Sequence, residues 1–178
     1  MRRLVAALLL CLFATPALAA APQSVVIVID TNRIMREATA VVEIAKQVEV
    51  IGARYGSDLK AAEARLRQED QALTKQRSLL NKEAYNAKVQ ELRERLAKLR
   101  SQAQRQRTNL DRARSEAVRK VQVQLFQVAG ELAGEVGANI VVQKAALVWA
   151  DETALEFTED ALKRLNEVLP NVTIELDR

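Results

Sequence analysis

Apolar positions in the middle of this chain recur at alternating steps of four and three. One run is Tyr85, Val89, Leu92, Leu96, Leu99, Ala103, Gln106, Leu110, Ala113 and Ala117; a second, upstream, is Tyr55, Leu59, Ala62, Leu66, Glu69, Leu73, Gln76 and Leu80. This period lines one side of an α-helix and predicts burial of that side against another helix. Only Asn81 to Ala84 separates the two runs, and so short a connection makes the helices antiparallel. The pattern predicts an elongated coiled-coil hairpin, with Asn81 capping the second helix and Glu83 in its first turn.

Outside the hairpin the period changes. Val25-Val26-Ile27-Val28-Ile29 is a continuous β-branched run, expected as a strand buried on both faces or in an interface. Asp30 or Thr31 is placed to cap a helix running from Arg33 to Leu80. Gly52 and Gly56 interrupt that helix one turn apart, and Gly130 and Gly134 repeat the spacing on the return. Close helix approach or a bend at the arm's root is the expected role, since no strand precedes either pair to make a phosphate loop. The second helix is expected to end at Gly137 in a left-handed conformation. Ile140-Val141-Val142 and Leu147-Val148-Trp149 are predicted to form a β-hairpin around residues 143–146. Thr158 is expected to cap a helix from Glu159 to Val168 carrying Leu162, Leu165 and Leu169, before Pro170 stops it. Val172 to Leu176 suggests a last short strand. A strand near residue 27 is therefore expected to pair with strands near 141 and 148.

The N-terminus has the form of a secretory signal: Met1-Arg2-Arg3, an apolar stretch from Leu4 to Phe13, then Pro16 and Ala17-Leu18-Ala19-Ala20-Ala21. About 20 apolar residues are needed to span a bilayer, so a retained anchor is the weaker alternative. Cleavage after Ala19 or Ala21 is expected. Leu10 before Cys11 is wrong for a lipoprotein, and the mature chain is left without cysteine, so its fold depends on packing alone. With residues 55–120 in the arm, the β-containing body comprises only residues 22–54 and 121–178. So small a core, with open strand edges, calls for self-association.

Charge separates these parts. Residues 58–120 hold 17 Lys and Arg against 9 Asp and Glu, a net +8, while the rest of the mature chain carries −6. Arg93, Arg95, Lys98 and Arg100, then Arg105, Arg107, Arg112 and Arg114, stud the second helix. A solvated face is one reading; the excess of a single sign favours an acidic partner. Leu79, Leu80, Ala84 and Tyr85 are candidates for an apolar patch at the tip, with packing of the tip itself as the alternative.

Enzymatic function is disfavoured. Histidine is absent, and no nucleophile or carboxylate constellation sits on a recognisable scaffold. The usual metal ligands are missing, and no cofactor is expected. A pI near 9.4 suggests nucleic acid, but export removes the chain from the chromosome and few aromatics remain for stacking on bases.

The strand leading into Asp30-Thr31-Asn32-Arg33-Ile34, the charged heptad hairpin, Gly137-Ala138-Asn139-Ile140-Val141-Val142, and Ala150-Asp151 followed by Phe157-Thr158-Glu159-Asp160-Ala161-Leu162-Lys163-Arg164-Leu165-Asn166 occur in that order. Together they resemble the Skp/OmpH family of periplasmic outer-membrane chaperones. The resemblance implies an α+β, mostly α fold, with a long antiparallel coiled-coil hairpin arm projecting from a small β-sheet body that trimerises. Val26, Val28, Ile140, Val142 and Val148 are the expected oligomerisation-strand residues. It further implies an ATP-independent periplasmic holdase. Unfolded outer-membrane β-barrel proteins would be held in a cavity between arms, and the eight cations and four tip residues named above are the candidates that charge and apolar pattern offer for holding them. Lipopolysaccharide or an anionic membrane surface is a further acidic partner. The competing function is a structural coiled-coil spacer or scaffold of the cell envelope. The segment beyond Val168 is longer than the family's usual end.

Overall fold

The computed structural model describes residues 24–149 and 156–177. The expected signal peptide at 1–21 and Ala150-Asp151 lie outside the described residues. The element order is β1 (Val26–Ile29), α1 (Thr31–Glu37), α2 (Thr39–Lys75), α3 (Lys82–Glu135), β2 (Ile140–Gln143) and α4 (Thr158–Val168).

The strand β1 is buried along its last three residues, Ile27, Val28 and Ile29, so neither of its faces meets solvent there. It pairs in parallel with β2, Val26 opposite Ile140 and Ile29 opposite Gln143. Parallel strands need a long crossover, and here the whole helical hairpin supplies it. The expected hairpin between 140–142 and 147–149 does not form. After Gln143 the chain enters a 3₁₀ turn, Lys144–Ala146, and Gln143-Lys144-Ala145-Ala146 holds none of the Gly, Asn or Asp residues that favour a hairpin turn. Val148, placed in a strand by its sequence, stands fully exposed outside any strand. The other neighbour of β1 is Glu156, through a single parallel bridge to Val28 in which the Phe157 N–H donates to the Val28 carbonyl at 2.9 Å.

The expected helix from Arg33 to Leu80 is broken at Ala38, whose ψ of 132° is extended. No Gly or Pro marks the break. Asn166 on α4 makes it possible: its Oδ1 accepts from the Thr39 N–H at 2.9 Å and from the Thr39 hydroxyl at 3.1 Å. A residue 127 positions away thus caps α2, and Ala38 is buried in the corner. Asn166→Ala should lower stability by about 1 kcal/mol, the usual worth of an N-cap, read as a shift in the thermal unfolding midpoint. A midpoint unchanged within error would mean that the corner holds by packing alone.

The Asp30 side chain caps α1, accepting from the Arg33 N–H at 2.8 Å. Thr158 does not cap α4. It opens the helix, and its hydroxyl accepts from the Asp30 N–H at 2.8 Å and donates to Glu156 at 3.1 Å. Tertiary bonds to the end of β1 claim the side chain, and Phe157 occupies the cap position without a side-chain bond. At the end of α3, Gly137 has φ +69°. The Ala138 N–H donates to the Ala133 carbonyl at 2.8 Å and the Gly137 N–H to that of Gly134 at 3.2 Å, the paired bonds of a Schellman motif.

The core sits where β1, α1, α4 and the roots of α2 and α3 meet. It includes Ile27, Ile29, Ile34, Ile44, Val121, Leu125, Val128 and Leu165. It draws on nothing in α2 beyond Tyr55 and nothing in α3 before Leu110. At 1.5 Å per residue the 54 residues of α3 extend about 80 Å, so the stretch between those limits stands out from the core as a bare helical hairpin.

Residues 172–176 are not a strand. Val172 and Ile174 are buried and Thr173 and Glu175 exposed, the alternation of a strand, but the backbone bonds go to a side chain. The Gln47 amide donates to the Val172 carbonyl and accepts from the Ile174 N–H, both at 2.9 Å. The end of the chain lies along the helices instead of joining the sheet.

Candidate functional site

Two surfaces carry chemistry: the hairpin beyond the core and the outer edge of β2. The hairpin closes through turns at residues 76–80, so α2 stops at Lys75, short of the predicted Leu80. Asn81 caps α3 as expected, accepting from the Ala84 N–H at 2.8 Å. Leu73 is buried beneath the tip. Arg77 lies over the Tyr85 ring, 5.6 Å from its centroid. Leu80, Ala84 and Tyr85 are half-buried and Leu79 projects into solvent at 82 % exposure. The four tip residues therefore divide into three that pack the turn and one that is free.

The seam between α2 and α3 is loosely filled. One opening of about 440 Å³ is lined by Leu66, Val89, Leu92 and Leu96 and rimmed by Arg67, Arg93 and Arg100 together with Glu63 and Asp70. A second, of about 370 Å³, lies nearer the core between Gly52, Tyr55, Gly56 and Leu59 on one helix and Ala103, Arg107 and Leu110 on the other. Both openings have apolar floors, and their rims mix both signs with arginine in excess. The glycines do not serve close approach, contrary to the expectation from their spacing. A Cβ on Gly52 would meet Leu110 at an ordinary 3.9 Å, and one on Gly56, Gly130 or Gly134 would meet nothing within 4 Å. Gly56→Ala should therefore raise stability by about 1 kcal/mol through helix propensity, seen as a higher unfolding midpoint. A loss of stability instead would show that α2 bends at this position.

Of the eight basic residues, two are engaged within the chain. Arg95 holds Glu69 with both guanidinium nitrogens, one at 2.9 Å, and this bond holds the Glu69 carboxyl below the usual carboxylate range. Glu69 sits on the heptad seam, so the pair ties the two helices where the stripe lacks an apolar residue. Arg112 pairs with Asp177 and bonds Asn109 at 3.2 Å. Arg93, Lys98, Arg100, Arg105, Arg107 and Arg114 are exposed and make no ion pair among the described residues.

At the sheet, Val28 is a core residue, Val26 and Val142 are half-buried, and Ile140 is exposed. Val141 and, on α3, Val123 and Phe126 are exposed as well, Phe126 at 68 %. These three were not singled out in the sequence. A depression of about 490 Å³ between β2, α1 and α3 joins Val141 and Phe126, lined also by Ile29, Met35 and Leu125. The signal was available: Val121, Val123, Leu125, Phe126 and Val128 make α3 apolar on more than one side, the mark of a helix covered twice. Behind this surface the Lys144 ammonium bonds Glu156 at 2.9 Å and keeps that carboxyl low, with help from the Thr158 hydroxyl.

A parallel two-stranded sheet crossed over by a long helical hairpin defines a mostly helical α+β class. The chain belongs to the outer membrane protein (OmpH-like) family, whose profile matches residues 25–165. Its fold is similar to the crystal structure of a protein of Caulobacter crescentus CB15 described as a candidate outer membrane chaperone (OmpH-like). The TM-score is 0.80 and the identity 13%, over 89% of this chain and 93% of that one. No curated protein matches the sequence.

Among the described residues no helix is long and apolar enough to cross a membrane, and no cluster of His, Cys, Asp and Glu could hold a metal ion.

Proposed function

We propose that this chain is an ATP-independent periplasmic holdase that keeps unfolded outer-membrane β-barrel proteins from aggregating, working as a homotrimer whose arms enclose the client. The observation that carries this reading is the hairpin that stands clear of the core with Arg93, Lys98, Arg100, Arg105 and Arg107 exposed on it and Arg114 at its root, none of the six in an ion pair among the described residues. An unfolded β-barrel chain with net negative charge is attracted to such arms within a Debye length of about 8 Å at physiological salt. The apolar seam openings and Leu79 then hold it by many weak contacts. A client without fixed structure needs no shaped pocket, and a loosely packed surface suits it. Lipopolysaccharide and anionic membrane surfaces offer the same cations a second acidic partner.

Family membership and the secretory form of the N-terminus support the compartment. Association is supported by the outer edge of β2, which pairs with no strand among the described residues, and by the exposed Ile140, Val141 and Phe126, since an uncovered strand edge and an apolar patch invite a partner.

The test is dilution of a urea-unfolded outer-membrane β-barrel protein with and without the mature chain, following turbidity. Suppression at one trimer per client is expected. Undiminished turbidity favours the alternative, an envelope spacer. Removing two heptads from each helix should weaken large clients before small ones. Equal loss at all sizes would argue against an enclosing cavity.

A further inference from the structure

The last residues of the chain are bound as a peptide would be. Val172 and Ile174, each 7 % exposed, drop into the core at the root of the arm, and Thr173 between them and Glu175 after them are exposed. The Gln47 side-chain amide gives one bond to the Val172 carbonyl and takes one from the Ile174 N–H, as the edge of a neighbouring strand would. Asn109 on the other helix bonds both backbone groups of one residue: its Nδ2 donates to the Asp177 carbonyl at 2.9 Å and its Oδ1 accepts from the Asp177 N–H at 3.4 Å. The acidic side chains meet cations on α3, Glu175 with Lys120 at 3.0 Å and Asp177 with Arg112.

We infer that the groove along α2 and α3 at the arm's root is a binding site for an extended segment alternating apolar with acidic or polar residues, and that the tail occupies it in cis. This rests on the holdase reading and supplies one place where a client strand would be held.

Three properties lead to it. Backbone groups are read by two side-chain amides, so affinity does not depend on which apolar residue enters, as in recognition by strand addition. The side-chain requirement is a period of two with acidic partners for Lys120 and Arg112, the pattern of an unfolded β-barrel strand. The tail is also exchangeable: two buried apolar side chains and a few backbone bonds are set against the ordering of the whole segment, terms of similar size. A tethered segment competes at an effective concentration on the order of millimolar, so removing it exposes the groove to ligands in trans.

The experiment compares the mature full-length chain with a version ending at Pro170, using a fluorescent peptide of residues 171–178 and anisotropy. The shortened protein should bind the peptide saturably and at least tenfold more tightly than the full-length chain. Gln47→Ala should weaken that binding about tenfold, and an unlabelled peptide alternating valine with glutamate should displace the probe. A second variant, Val172→Asp with Ile174→Asp, frees the tail without shortening the chain and should behave alike. Absence of saturable binding to either folded variant overturns the assignment. So does binding indifferent to Gln47, or loss of the fold in both variants, which would make the tail a structural brace. Turbidity measured on the full-length chain separates the two readings. Suppression without peptide binding removes the groove alone, and peptide binding without suppression removes the holdase while the groove stands.

Discussion

Replacing Arg93, Lys98, Arg100, Arg105, Arg107 and Arg114 together by glutamine is expected to weaken capture of an unfolded β-barrel client by roughly ten- to a hundredfold at physiological salt, mostly through a slower on-rate. These side chains are exposed and make no ion pair among the described residues, so the fold does not depend on them. Surface changes of this kind usually alter stability by less than about 0.5 kcal/mol each, and relief of like-charge repulsion along α3 acts in the stabilising direction. Fluorescence titration at two salt concentrations checks the result. Raising salt to 0.5 M should weaken the unsubstituted protein towards the variant and leave the variant nearly unchanged, because screening and neutralisation remove the same attraction. Equal affinity of both proteins at low salt would show that the arms' charge serves solubility only.

Ile140→Lys with Val141→Lys is expected to dissociate the proposed trimer, with association weakened more than a hundredfold. Both residues are exposed on the single chain, so the substitutions leave the monomer's helical circular dichroism intact. In an assembly closed through β2, however, the same charges would be buried against one another, and like-charge juxtaposition costs several kcal/mol. Inward or edge lysines are also a common means by which β-proteins keep strand edges unpaired. Sedimentation equilibrium gives the mass directly. Retention of the assembled mass would move the interface away from β2, and a monomer for the unsubstituted chain would remove the trimer altogether. Holding capacity should fall with the mass, since separated arms enclose nothing.

The hairpin was legible because its determinants are local. The three-and-four period, the Asn81 cap and the Gly137 stop act within a turn or two of sequence, and family resemblance read from the ordered motifs agrees with the profile match. Strand β1 was legible for the same reason, as an uninterrupted β-branched run. What failed were the places where a distant residue competes with a local preference. Thr158 looks like a cap but is taken by Asp30, and Ala38 looks helical but breaks because Asn166 offers Thr39 a cap. Val148 looks like strand, yet the residues before it hold none that favour a hairpin turn. Of the candidate site, the cations were readable as charge, but their division into free and engaged was not, since Arg95 and Arg112 find partners 26 and 65 positions away.

By itself, then, the sequence determined the two long helices, their antiparallel return, the concentration of positive charge on them and strand β1. Periodicity, capping and composition are properties of neighbouring residues. Only the tertiary structure decided that β2 runs parallel to β1, that the helix breaks at Ala38, and that the tail lies in a groove under Gln47 and Asn109. Each of these outcomes pairs a backbone group with one more than a hundred residues away in the chain, or with a side chain on another helix. Such a pairing is settled by which groups the packed core brings within bonding distance.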